Sequence, residues 1–344
     1  MRRARSAVEW PTLVLIGATY VAWGLGTSAL YVLSAPLGFL LATLAIVQFS
    51  SLQHEVLHGH PFRSRRLSEA LVFPGLTLFV PYGRFRDTHL AHHRDERLTD
   101  PYDDPESNYL DPAVWARLPA VLRALLRANN TLLGRMILGP AISTFSFVRG
   151  DLRAIRAGDR AVAAAWAWHV PGVALVALWL WATPGMGLAA YIGAAYAAYG
   201  ILKIRTFLEH RAHEKVRGRT VIVEDRGPLS FLFLNNNLHV VHHARPGEAW
   251  YRLPAAYRER KEEWQRRNES YVYRSYGEIF ARHLLRAKDP VPHPLWPDRM
   301  DRTAPAEDTP AVGPALAAGF GSPAEQAAPP AETAEPLPAP LPAS

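Results

Sequence analysis

The chain of 344 residues carries a formal charge of +7, is 49% hydrophobic and contains no cysteine. The missing sulfur excludes a disulfide-stapled secreted domain, an iron–sulfur protein, a thiolate zinc site and a cysteine nucleophile. The length is ample for a sizeable core, and a mean hydropathy near zero averages long apolar runs with an arginine-rich remainder and a proline-rich end.

In chain order, a first apolar run covers residues 11–33 without a charged residue, and a second, 35–52, follows after Ser34 alone. Each suits the roughly 20 residues that cross a bilayer. Arg2, Arg3 and Arg5 would fit a signal peptide, but the first run exceeds an h-region of about 7 to 15 residues and a second follows directly. The pair predicts a transmembrane hairpin. The stretches 70–81 and 132–148 are short or interrupted by Pro, Gly and Arg135, and read as re-entrant or interfacial helices. A second hairpin is predicted from 161–183 and 187–207, joined by the turn-forming Thr183-Pro184-Gly185-Met186-Gly187.

Both hairpin turns lack Lys and Arg, whereas the N-terminus, residues 63–160 and the region after Lys203 are rich in them. The positive-inside rule then puts both termini and the central segment in the cytoplasm. That pattern accounts for the net charge without nucleic acid. Trp166, Trp168, Trp179 and Trp181 fall where interfacial aromatic belts are expected, Trp10 and Trp23 less evenly so. Beyond Asp301 the chain is Ala, Pro and Glu with few large apolar residues. The expected organisation is an all-α, integral-membrane unit over 1–300, with four transmembrane helices in two hairpins under a cytoplasmic helical cap, and a disordered tail over 301–344. There is no fixed-period repeat and no Gly-rich phosphate loop.

Most of the fourteen histidines fall in tight clusters on one predicted side of the membrane. His54 and His58, an i, i+4 pair, share a face on a continuing helix. His89, His92 and His93 form His-x-x-His-His, and His239, His242 and His243 repeat that spacing. His210 and His213 lie just past the fourth span. Neutral imidazole is a common ligand for Zn, Cu, Fe and Ni, and gathered histidines repel one another on protonation. A single histidine is better read as solvated or hydrogen-bonded; three spaced clusters reverse that reading. One zinc takes about four ligands, so eight or nine candidates imply two metal ions.

His54-x-x-x-His58, His89-x-x-His92-His93 and His239-x-x-His242-His243 resemble the three histidine boxes of the integral-membrane fatty acid desaturase and hydroxylase superfamily. The resemblance covers residues 10–255, including the order of spans and boxes. It extends to Leu98-Thr99-Asp100-Pro101, to Asn235 four residues before His239 and to Pro246 three residues after His243. It implies a non-haem di-iron centre held by His54, His58, His89, His92, His93, His239, His242 and His243, with His210 as the additional ligand near the last membrane helix and His213 in reserve. No catalytic residue beyond these ligands is implied.

Such a centre reduces O2 and abstracts hydrogen from an unactivated methylene, which no side chain does unaided. The expected activity is therefore O2-dependent desaturation of a long fatty acyl chain presented as lipid, acyl-CoA or acyl carrier protein. A fatty acyl hydroxylase or an alkene-forming oxidative decarboxylase on the same scaffold is the alternative, because the boxes do not choose between outcomes. The resemblance also implies two electrons from a separate donor, such as a ferredoxin or cytochrome; a small acidic partner would suit the basic surface.

Glu55 makes the first box a literal HExxH, which in a zinc metalloprotease supplies two ligands and a base. That reading leaves the two His-x-x-His-His clusters unexplained, and within the resemblance Glu55 is a partner for an imidazole N–H. His60, before Pro61, and His169, in the third span, are set aside as ligands, and His283 and His293 read as solvated. Asp100, Asp103, Asp104 and Glu106 read mainly as turn and helix-start residues, with Asp100 the best candidate to orient a ligand. Of Asn235, Asn236 and Asn237, Asn235 is the one matched by position. The arginines from Arg63 to Arg97 are expected to face anionic lipid at roughly 1 kcal/mol each.

Overall fold

The computed structural model describes residues 8–93 and 97–296. The expected tail over 301–344 and the basic Arg2, Arg3 and Arg5 lie outside the described residues.

The chain is mostly helical. Helix α1 (Trp10–Thr27) and α3 (Ala35–Leu57) each carry Pro in the first turn, where the missing N–H costs no intrahelical bond. Between them a break at Ser28 and a short α2 (Ala29–Leu33) reverse the chain. The two long helices approach closely because small residues face each other. A Cβ on Gly26 would lie 2.7 Å from the Ala42 nitrogen, and against the short α2 one on Gly38 would lie 2.4 Å from the Tyr31 Cα. This is the packing that helices adopt where lipid removes the hydrophobic drive to associate. Helix α3 runs five residues past the apolar run at Leu52, and so carries His54 and Glu55 in its last turns.

After α4 (Arg65–Leu71), capped by Ser64, the expected helix over 70–81 is absent. Pro74 and Pro81 supply no N–H to a helix. The segment instead wedges as irregular chain among the long helices. Gly75 N–H donates to Gly172 O at 3.0 Å, Tyr191 Oη to Leu76 O at 2.8 Å, and His169 Nε2 lies 2.7 Å from Leu78 O. His169, set aside as a ligand, is thus a packing residue.

Helix α5 (Tyr82–His92) bears the second box. Arg84, expected at lipid, is buried instead and makes a bidentate ion pair with Asp151 at 2.9 Å, which Trp166 Nε1 joins at 2.8 Å. Helices α6 (Pro112–Arg117), α7 (Ala120–Asn129), α8 (Leu132–Ile137) and α9 (Gly139–Arg156) follow. The expected single element over 132–148 is two, because Thr131 caps α8 and Pro140 opens α9.

Asp159 caps α10 (Arg160–Ala182), which exposes Trp168 and Trp181 at 69% and 84%, the outward apolar face of a helix that meets lipid. Helix α11 (Leu188–Thr206) ends with Lys203 and Arg205 and packs against α3. Among the described residues three stretches are long and apolar enough to cross a membrane, Trp10–Leu33, Ala35–Leu57 and Arg160–Ala182; the expected fourth span over 187–207 is not one of them.

The all-α expectation needs one correction. Strand β1 (Ile222–Val223) pairs in parallel with β2 (Val272–Tyr273). A parallel pair needs a long crossover, here supplied by α12 (Pro228–Leu232), α13 (His239–Ala244), α14 (Leu253–Glu259) and α15 (Lys261–Arg267). Helix α16 (Tyr276–His283) follows, and the chain then returns across the loop after α5. Leu110 N–H donates to Val291 O, and His293 N–H to Leu110 O. His293 is therefore buried, 3.3 Å from Thr99 Oγ1, and His283 lies 3.0 Å from Tyr273 Oη; neither is the solvated side chain expected.

Candidate metal centre

The nine box and box-associated histidines converge into two adjacent groups. His54, His58, His89, His93 and His242 form one; His92, His210, His239 and His243 form the other, and within each the candidate ligand atoms lie within 4.8 Å of one another. The division follows from helix geometry. At about 100° per residue, positions i and i+4 lie about 40° apart on one face, while consecutive positions diverge by about 100°. His54 and His58, and likewise His89 and His93, therefore enter the first group, and His92 crosses to the second. In α13 the same rule sends His239 and His243 to the second group and His242 to the first. The stacked rings of His93 and His243, 4.4 Å apart, join the two groups.

The donor set fits two metal ions. The Nε2 atoms of His92 and His210 are 2.8 Å apart, those of His89 and His93 2.9 Å, His93 and His242 3.1 Å, and His210 and His239 3.2 Å. Two imidazole nitrogens each about 2.1 Å from one ion, at right angles, lie about 3 Å apart. The buried Nε2 atoms of His54 and His58 have no hydrogen-bond partner among the described residues. Buried polar atoms without partners are costly, and a metal ion removes that cost.

The opposite ring nitrogens are held by polar side chains. His89 Nδ1 lies 2.9 Å from Glu106 Oε1, His92 Nδ1 2.7 Å from Asp104 Oδ1, and His239 Nδ1 3.0 Å from Asn236 Oδ1. Such partners fix the tautomer, leaving Nε2 as the ligand atom. Asp104 Oδ2 also accepts the Thr99 N–H at 2.8 Å, and Thr99 adopts φ 71°. Asn236 in turn donates to Glu209, which pairs with Arg205 at 2.9 Å.

Electrostatics favours neutral rings at most positions. Burial first, and then neighbouring imidazoles, push His89, His210, His239 and His242 well below the usual histidine range, and His58 to about 3. His92 goes the other way: burial lowers it, but the Asp104 and Glu106 carboxylates outweigh burial and hold it at about 9. Burial lifts Glu106 to about 7. A cation at His92 Nε2 satisfies the same carboxylates as a second ring proton does.

Several sequence expectations shift. Asn235 adopts φ 56° and donates to Trp250 O, making the turn before α13, and it is the next residue, Asn236, that meets His239. Asp100 caps the turn by accepting the N–H groups of Tyr102 and Asp103, while Asp104 takes the ring of His92. His213 is outside both groups and bonds locally with Lys215. Glu55 accepts the Trp250 N–H at 3.0 Å and belongs to a third buried group with Glu9 and His60, not to either of the two histidine groups. His60 Nδ1 is 2.5 Å from Glu9 Oε2. Glu209 and Asn236 carry no spacing signal that separates them from loop polars; Asp104 and Glu106 stood in an acidic cluster that a turn also explains.

Among the described residues, three bilayer-length apolar stretches and two histidine groups define a histidine-rich helical membrane protein with a candidate dinuclear metal centre. The profile of the fatty acid desaturase family matches residues 5–275. The chain belongs to the fatty acid desaturase family, and its chemistry is accordingly of the desaturase or hydroxylase type, an oxidoreductase acting on fatty acyl substrates. No curated protein matches the sequence.

Proposed function

We propose that this protein is a di-iron, O2-dependent desaturase that introduces a double bond into a long fatty acyl chain. The observation that carries the reading is the division of nine histidines, drawn from three boxes and the loop after α11, into adjacent groups of five and four. In this reading His54, His58, His89, His93 and His242 hold one iron, and His92, His210, His239 and His243 the other. When bound, the irons supply reduction of O2 and abstraction of hydrogen from a methylene group.

The chain's own residues do the rest. Asp104, Glu106 and Asn236 hold Nδ1 of His92, His89 and His239 and so aim each Nε2 inward. Burial of His54, His89, His92, His210, His239 and His242 limits water at the centre and favours neutral imidazoles at most of these positions. The helices α1 and α3, then α10 and α11, form two membrane hairpins in this reading. The lysine- and arginine-free turns lie outside, and the histidines and both termini in the cytoplasm. Residues 1–300 act as one membrane-embedded unit with a cytoplasmic cap, and 301–344 as a separate tail. Electrons come from a separate donor such as a ferredoxin or cytochrome.

The test is reconstitution of the full chain with a reductant system, O2 and a panel of acyl substrates, with products read by mass spectrometry of lipids and headspace gas. An O2-dependent loss of two hydrogens from an internal C–C bond supports the proposal. An alcohol as the main product, or a terminal alkene with loss of the carboxyl carbon, overturns desaturation in favour of hydroxylation or decarboxylation.

A further inference from the structure

His210 differs from the other rings of its group. His92 and His239 are oriented through Nδ1 by the side chains of Asp104 and Asn236, whereas no side chain holds Nδ1 of His210, which has only the Arg219 backbone beside it. The packed rings of His92, His239 and His243 limit its torsions. What remains to be fixed is where its backbone sits. His210 lies past the end of α11, where an antiparallel bridge to Thr220 ties its neighbours, Arg211 N–H donating to Arg219 O and Val221 N–H to Glu209 O, and leaves the His210 carbonyl unused.

The carbonyl that this bridge does not use is held from a distant part of the chain. Lys288 Nζ donates to the carbonyl of His210, 78 residues away. The same ammonium donates to Tyr271 Oη at 3.2 Å and pairs with Asp289 Oδ2 at 3.0 Å. An ammonium has three N–H donors, and these three oxygens match them in a side chain only 10% exposed. Tyr271 Oη donates to Leu208 O at 2.7 Å, holding the other side of the loop. Tyr109 Oη accepts the Ala212 N–H at 2.8 Å and donates to Asp289 Oδ2 at 2.6 Å. Asn130 Nδ2 donates to Asp289 O, tying the arrangement to the end of α7. The residues that grip the loop at 208, 210 and 212 thus converge on Lys288 and Asp289, which lie beyond the family-matched residues 5–275.

We infer that Lys288 is a positioning residue for His210: the segment 288–293 crosses the loop after α5 as a strap, and its ammonium sets the height of the His210 backbone in the four-histidine group. The inference rests on the reading of His210 as a metal ligand.

The experiment compares full-length parent, Lys288→Met and His210→Ala, each equilibrated with iron(II) against a competing chelator, with iron counted per chain and unfolding of the metal-free proteins followed in parallel. Lys288→Met keeps the aliphatic stem and removes the three donors. The expected result is an affinity for one of the two ions about 10- to 100-fold weaker, with the other ion held as in the parent, since loss of a ligand's supporting group costs that much. His210→Ala is expected to lose the same ion. Parental retention of both ions in Lys288→Met, alongside loss of one in His210→Ala, overturns the inference and leaves the ligand reading standing. Equal loss of both ions in Lys288→Met overturns it too, since that marks general destabilisation. Parental iron in His210→Ala overturns the ligand reading itself. If Lys288→Met does not accumulate as folded protein, Tyr109→Phe, which removes the acceptor of the Ala212 N–H, is judged by the same outcomes.

Discussion

Replacing Asp104 with Asn probes how the centre is built, because each oxygen of that carboxylate has its own donor. Oδ1 accepts from His92 Nδ1 at 2.7 Å and from the Glu106 N–H at 2.9 Å, and Oδ2 accepts the Thr99 N–H at 2.8 Å. Asp104 is buried. An amide has one acceptor and one donor end. With its oxygen toward His92, its NH2 confronts the Thr99 N–H, and one buried donor is stranded at a cost of about 1–3 kcal/mol. With the amide flipped, its NH2 faces His92 Nδ1 and favours the tautomer with hydrogen on Nε2, the atom needed for metal. Both orientations remove the carboxylate charge that holds the His92 Nδ1–H, and so lower affinity for one ion, by about 10- to 100-fold on the scale of lost ligand partners. The assay is iron competition with a chelator, paired with unfolding of the metal-free protein. A loss of about 1–3 kcal/mol in stability with iron affinity unchanged for both ions would refute the claim that Asp104 orients a ligand, leaving it a turn-stabilising residue.

Other outcomes follow from the same structure. Arg84→Met should destabilise by about 3–5 kcal/mol, because it leaves the Asp151 carboxylate buried without its cation; unfolding in micelles measures this, and adding Asp151→Leu should recover much of the loss. Asn236→Ala should weaken retention of one iron by about tenfold or more, as it releases His239 Nδ1. Asn235→Ala should cost only about 1–2 kcal/mol of stability at its left-handed φ, with iron retention near the parent's; the reverse ranking in iron retention would contradict the assignment.

What could be read from the sequence was local. The i, i+4 pairing of His54 with His58 depends only on helix pitch, as does the turn-aside of His92 and His242. Of the four spans read from composition and turn residues, three are bilayer-length apolar stretches in the structure, and the break at Ser34 was likewise legible. The residues that escaped depend on contacts between distant segments. Asp104 and Glu106 meet His92 and His89 only because the chain after α5 folds back on that helix. Asn235 and Asn236 differ by one position, and the left-handed turn at Leu234 and Asn235 decides which amide reaches His239. Arg84 looked like one of many lipid-facing arginines until Asp151 on α9 was brought against it. The pairing of β1 with β2 spans about fifty residues between two-residue segments, too short for any alternation to show.

The most direct test is the metal content of active full-length protein isolated from iron-replete cells, read by elemental analysis together with iron spectroscopy. The account predicts two irons per chain in a magnetically coupled, nitrogen-rich environment. A single zinc, or full activity with no transition metal bound, would contradict it.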